Sequence, residues 1–248
     1  MRPSKQVVSL SVVERLKSAY RTVLSHDPET PQVVKFVRDL VKEESGRVVV
    51  DIGCGYGRTL RALKSSGIEA IGVDVNASIV ETNRREGLHC MTTSEFAGSN
   101  LQVDVMIMSH VIEHFDPEKL LDFMDGHLDR LRPGGHLIVA TPLLHGRFYD
   151  DFDHVKPYHP TGLTMVFGKH DAQVQYSSRN RLVMTDLWFR RSPLTVNFFR
   201  GLYLKDRGTR AWQAVNLLGT VLFRVSGGLV GRHTGWVGVF RKEATAAA

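Results

Sequence analysis

47-RVVVDIGCGYGRTL-60 is the stretch on which the fold turns. A β-branched run, Arg47–Val50, ends in Asp51, and a glycine-rich turn follows before a helix expected over about 57–66. Gly53, Gly55 and Gly57 stand at alternate positions. Glycine permits so tight a turn and lets backbone N–H groups approach a ligand closely. A strand feeding such a turn and then a helix is the opening unit of a doubly wound sheet, whose nucleotide crevice lies there. The spacing is not the dinucleotide pattern G-x-G-x-x-G/A, because Arg58 occupies the third glycine position. Asp51 would repel a pyrophosphate and suits a ligand carrying positive charge. Asp74 ends the second strand, where a carboxylate can accept both hydroxyls of a ribose. The implied ligand has a ribose and a cationic portion, with no phosphate at the turn.

The same rhythm extends to both sides. Val8, Val12, Val13, Leu16, Tyr20 and Leu24 predict a helix over 6–25, broken at His26-Asp27-Pro28. Pro31 suits the first turn of a second helix, running to about Glu44. Further strands are expected at Ile68–Val73, Leu88–Met91, Val103–Met108 and His136–Thr141, with helices from Asn76 to about Glu86 and from Asp116 to about Leu131. Val103–Met108 is nearly all apolar, as befits a strand covered on both faces. Strands alternating with helices predict a parallel α/β sheet with helices on both faces. After Pro142 the character changes. Residues 143–160, rich in His, Asp, Tyr and Phe, read as a functional loop. A short helix over 160–168, a strand at Leu182–Phe189 and a last strand at Trp236–Phe240 follow.

The 248 residues, 42% apolar and 23% charged, have the composition of a globular chain of one large domain or two small ones. Two cysteines, Cys54 and Cys90, exclude a disulfide scaffold and point to a reducing compartment. The first ten residues are too polar for a signal peptide, and no apolar run has the ~18 residues of a membrane span. A cytoplasmic protein, peripheral to the inner face of a membrane, is expected. Eight basic residues and two acidic ones lie between Arg179 and Arg210, so this segment holds the whole net charge of +6. Such a stretch is either a solvated face or a contact for phosphates, membrane or nucleic acid.

DIGCGYG at 51–57, GVDVN at 72–76, VDVMIMSHVIEHF at 103–115 and LRPGGHLIVATP at 131–142 complete the pattern. In order, spacing and strand–helix context they resemble the class I S-adenosylmethionine-dependent methyltransferases, of the ubiquinone-pathway and small-molecule type. The resemblance spans roughly residues 33–170. It implies an α/β fold: a Rossmann-like, doubly wound, seven-stranded sheet with helices on both faces and the last strand antiparallel. It implies one domain over 1–248, with N-terminal helices (1–45), a cofactor-binding core (46–142), a substrate-side loop and helical insertion (143–235) and the last strand (236–242). The implied cofactor is S-adenosyl-L-methionine. Asp51, Gly53 and Gly55 match positions around its methionine portion, with Cys54 between them as a small turn residue. Asp74 matches the ribose carboxylate and Val75 follows it beside the adenine. Thr93 and Ser94 stand where an acidic residue is usual, and Ser109 and His110 match the strand end that faces the methyl group.

Methyl transfer needs alignment above all, and an alcohol or phenol acceptor also needs a general base. Histidine suits that task. His154, oriented by Asp151 or Asp153, is the favoured base, with His159 and His110 behind it. His110-x-x-Glu113-His114 resembles a position where some relatives bind a divalent cation, but its first residue is His rather than Glu, and no metal is expected. The loop holding DFDHVKPYHP is similar to methyltransferases of glycan and lipid-linked sugar pathways. Its Phe148, Tyr149, Phe152 and Tyr158 would stack on an acceptor or cover the cofactor. Residues 211–230 are the most apolar stretch, lying either on a bilayer surface or buried against the sheet or a second subunit. The expected activity is methyl transfer to an oxygen or nitrogen of a small-molecule or lipid- or sugar-linked acceptor, by a monomer or homodimer in weak contact with anionic membrane surface. Transfer to tRNA or rRNA is the alternative, disfavoured because Ser109-His110-Val111-Ile112 replaces an Asn-Pro-Pro-Tyr-type motif. A non-catalytic binding protein is the other.

Overall fold

Val49–Ile52, strand β1, is buried at every position and lies inside the sheet. The computed structural model describes residues 27–42, 46–168, 175–197, 203–204 and 206–244. The helix expected over 6–25 lies outside the described residues. Strand β1 pairs in parallel with β2 (Ile71–Asp74) on one side and with β4 (Val103–Ser109) on the other. Strand β3 (Cys90–Thr92) flanks β2, and β5 (Leu131–Pro142) flanks β4, both parallel. The last strand, β7 (Arg232–Lys242), runs antiparallel between β5 and β6 (Leu182–Ser192). The order β3-β2-β1-β4-β5-β7-β6 is the seven-stranded, doubly wound sheet expected, with its last strand reversed.

Alternation along the strands sends successive side chains to opposite faces. Val50, Ile52, Met106, Met108, Leu137 and Val139 meet α5 (Pro117–Leu128) and α6 (Pro160–Phe167) on one face. Val49, Val105, Ile107, Ile138 and Val237 meet α1 (Glu29–Val41) and Leu63 of α2 (Arg58–Ser65) on the other. Helix α3 (Ala77–Arg85) starts at Asn76, whose side chain accepts from the N–H groups of Ser78 and Ile79. Helix α4 (Thr93–Gly98) has no counterpart among the expected elements, although Thr92 and Glu95 make a full capping box that marks its start.

Most strand ends move by a few residues, and two larger differences have physical reasons. Strand β5 begins at Leu131, not His136: Val103 pairs with Leu131 and Val105 with His136, so Arg132–Gly135 bulge out of the ladder. The apolar stretch 211–230 lies largely in α7 (Arg207–Val225), and its apolar side chains are mostly exposed rather than packed on the sheet.

Gly72 on β2 is held small by its surroundings. A Cβ there would stand 2.6 Å from Leu60 Cδ1, 2.7 Å from Cys54 Sγ and 2.9 Å from Cys90 Sγ. Gly72→Ala should therefore destabilise the protein by about 1–3 kcal/mol through overpacking. Chemical denaturation reads this directly, and unchanged stability would mean that the two thiols move aside freely.

Candidate active site

The turn after β1 is tied to β2 through the backbone. Gly53 and Cys54 both donate to the Val73 carbonyl, at 2.7 and 3.1 Å. Asp74 then uses both oxygens, accepting from Gly55 N–H and Asn76 N–H, each at 2.9 Å. Gly53, Gly55 and Gly57 take φ of 71°, 50° and 73°, the left-handed region where glycine has no Cβ penalty. At Gly53 a Cβ would also lie 2.5 Å from Val111 Cγ2, so the turn and the segment after β4 meet backbone to side chain.

Beside this turn opens a cavity of about 750 Å³. Its walls come from the turn and the end of β2 (Gly53, Asp74, Val75), from α4 (Thr93, Phe96), from the segment after β4 (His110, Val111, His114) and from α5 (Phe123, His127). Gly53, Asp74, Val75, Thr93 and His110 of the expected residues therefore line one space. Asp51, Cys54, Gly55 and Ser109 are not among its lining residues, and Ser94 is exposed on α4. Asp51 is 2% exposed, and among the described residues no donor bonds its carboxylate. Burial, and then the neighbouring Asp74, push its carboxyl up to about 7, against the pull of Arg58. The floor of the turn is therefore a place that favours a cation.

His110 behaves differently from a general base. It adopts φ 57°, rare for a residue with a side chain, and turns its ring between two carboxylates. Its Nε2 lies 2.5 Å from Glu29 and its Nδ1 3.1 Å from Glu113. Burial works to lower its pKa, but the two carboxylates outweigh this and hold it up at about 9. Near neutral pH both nitrogens carry protons and donate them, so no lone pair is free to accept one. Glu29, 1% exposed, also accepts from Arg190 at 3.0 Å, and Glu113 accepts from Thr141 at 3.0 Å. Sequence reading missed Glu29 and Arg190. Glu29 lies 81 residues from His110, and an acidic residue in a first helical turn ordinarily reads as a dipole partner.

His154 stands beside His114, with ring centroids 5.0 Å apart. Each ring engages a backbone carbonyl through Nδ1: His114 that of Asp153 at 3.1 Å, His154 that of Phe148 at 2.6 Å. That leaves Nε2 of each as the basic nitrogen. Glu113, His114 and His154 can each offer one ligand atom, all within 4.8 Å of one another. His154 Nε2 is 3.8 Å from Asp151. Phe148 is buried against the His154 ring, whereas Phe152 is 99% exposed. His159 is elsewhere: its Nδ1 accepts from Thr161 N–H at the start of α6, and it lines a second cavity of about 330 Å³ with Tyr158 and Lys156.

Removing Glu29 takes one of its two carboxylates from the half-buried His110 imidazolium and leaves Arg190 without that carboxylate. Glu29→Ala should cost on the order of 3 kcal/mol in urea denaturation, and Glu29→Gln less. Equal stability of Glu29→Ala and the parent would show that the cluster does not anchor α1.

Residues 26–210 match the family model of a methyltransferase domain. A ubiquinone biosynthesis O-methyltransferase of Chelativorans sp. (strain BNC1) is 26% identical over 130 residues, covering 45% of this chain and 51% of that protein. A tRNA (carboxymethyluridine(34)-5-O)-methyltransferase of Mus musculus is 29% identical over 147 residues, 55% of this chain and 21% of that one. The chain spans about half the length, or less, of these curated relatives. A SAM-dependent methyltransferase from Archaeoglobus fulgidus shares the fold, with a TM-score of 0.53 at 19% identity over 91% of this chain and 99% of that one. With the family model covering most of its length, the chain belongs to the methyltransferase-domain family, and so to the class I S-adenosylmethionine-dependent methyltransferases that its motifs resemble.

Proposed function

We propose that this methyltransferase acts on an oxygen or nitrogen of an anionic small-molecule or lipid- or sugar-linked acceptor, with His154 as the proton-accepting group. The observation that carries this reading is one cavity that joins the glycine turn and Asp74 to His114, whose ring neighbours His154. S-adenosylmethionine, when bound, supplies a methyl group activated by a sulfonium. The residues fit such a ligand: Asp51 is a buried carboxylate with no donor among the described residues, Asp74 stands at the end of β2 for the ribose, and Thr93 and Phe96 wall the cavity on the α4 side. His154 Nε2 receives the acceptor's proton, and the Phe148 carbonyl fixes the ring orientation for it.

The acceptor side is electropositive. Burial and then Arg190, Arg232 and Arg147, against Asp150, hold His145 down at about 4, so arginines outnumber carboxylates around the loop after β5. An acceptor with negative charge suits it. The curated small-molecule relative is an O-methyltransferase, which favours oxygen. A second reading comes from the 4.8 Å grouping of Glu113, His114 and His154. Nδ1 bonds to carbonyls orient imidazoles as metal ligands also require. A divalent cation held there would polarise an acceptor oxygen.

Labelled-methyl transfer to fractionated lipids, glycans, quinone precursors and tRNA tests the acceptor, and labelling confined to tRNA would overturn the proposal. The pH dependence of cofactor binding tests Asp51. Its carboxyl is protonated below about 7, so affinity should rise with pH and level off above that point. The slope approaches about tenfold per pH unit well below it. Asp51→Asn should bind weakly with a flat profile, and a flat profile in the parent would remove Asp51 from the site. His154→Ala should cut kcat by roughly 10²–10⁴ with cofactor affinity intact. Near-normal turnover would leave alignment alone as the catalytic device. Calorimetric titration of chelator-treated protein with Mg²⁺ or Mn²⁺ separates the two readings, since only the cation reading expects heat that His154→Ala abolishes.

A further inference from the structure

Helix α7 carries its polarity reversed. An ordinary surface helix buries an apolar stripe and shows its polar face to water. Here the buried residues are Thr209 and Thr220. Asn216 between them turns to the preceding chain, accepting from Val196 N–H at 2.8 Å and donating to Val196 C=O at 3.0 Å. On the opposite side Leu218, Val221, Leu222 and Val225 are 64%, 47%, 57% and 82% exposed. Trp212 sits at the border, 36% exposed. The amphipathicity is real, but its apolar half faces away from the protein.

The charge around this face says what covers it. Arg207 and Arg210 are exposed in its first turn, and Arg224 lies in its last. Arg207 precedes Val225 by a whole number of helical turns and so shares its outward face. Between Tyr203 and Arg232 the sole acidic residue is Asp206, whose side chain is spent capping the helix at Thr209 N–H, 2.8 Å away. A second copy docking face to face would set arginines against arginines. An anionic lipid surface takes both halves, its phosphates meeting the arginines and its acyl boundary the aliphatic side chains. The helix is not long and apolar enough to cross a membrane, which fits a segment lying in the interface.

Its position in the fold adds a consequence. Strand β6 lies parallel to β5 and β7 antiparallel, so α7 leaves the sheet and returns to it at the carboxyl edge. That is the edge on which the cavity beside Asp74 opens. We infer that α7 is a docking helix for an anionic bilayer surface, holding the catalytic edge of the sheet toward the lipid. This inference stands whatever the acceptor is.

Vesicle co-sedimentation of the full chain tests it, using phosphatidylcholine with and without phosphatidylglycerol at low and high salt. The protein should pellet with the anionic vesicles at low salt and be released at high salt, since the attraction is screened. Arg207→Gln and Arg210→Gln should each weaken binding roughly fivefold. Leu218→Ser with Leu222→Ser should weaken it about tenfold or more. These side chains are exposed, so unchanged affinity for S-adenosylmethionine certifies that the variants fold. Trp212 fluorescence should shift to the blue on anionic vesicles. Failure to pellet at low salt would overturn the inference, as would binding that neither pair of substitutions changes. So would a concentration-dependent dimer, seen without lipid and lost in the leucine variant, because the face would then be a self-interface.

Discussion

The Val73 carbonyl and the Asp74 carboxylate together receive four backbone N–H groups: those of Gly53 and Cys54, and those of Gly55 and Asn76. The rest of the site depends on this clamp. It fixes the exit of β1 against the exit of β2, and it sets the starting points of α2 and α3. A carboxylate that accepts two N–H groups is oriented as well as stabilised. Its remaining lone pairs are then presented to the cavity wall at a fixed angle. Only glycine at position 53 permits the clamp, because any Cβ would strike Val111 from the neighbouring loop.

A chain of buried polar groups performs the equivalent service on the other side of β1. Arg190 of β6, Glu29 of α1, His110 and Glu113 after β4, and Thr141 of β5 are linked in succession by hydrogen bonds. Each buried charge has an opposite partner, which is the condition for tolerating charge inside a protein. Three strands and the covering helix are thereby held in one register around the cavity. The same pairing leaves His110 without a free lone pair, whereas His114, which lines the cavity, and His154 beside it each hold a carbonyl through Nδ1 and keep Nε2 open.

The electrostatics divide along the sheet edge. On the cofactor side Asp51 and Asp74 lie close enough that one raises the pKa of the other. Beside the loop after β5, burial and then Arg190, Arg232 and Arg147 depress His145. The proposed anionic acceptor would meet the second half and the cationic cofactor the first, an order that electrostatic steering would favour. The basic, outward-facing α7 continues the positive half beyond the cavity.

The period of the strands, the glycine turn and Asp74 were legible in the sequence because each is a local constraint. A turn needing positive φ selects glycine within a few residues, and a strand covered on both faces is apolar throughout. Sheet order and the reversed last strand were legible through family resemblance rather than through pattern. The boundary of β5 was not, because a bulge depends on the partner strand's register and not on Arg132–Gly135 alone. The separation of His154 from His159 was equally invisible: five residues apart, one joins Glu113 and His114 while the other caps a helix beside a different cavity. The union of Glu29 with His110, and the outward turn of α7's apolar side, belong to the tertiary structure alone. Charge pairing and burial are decided by what chain folding brings from far away, and no local spacing encodes that.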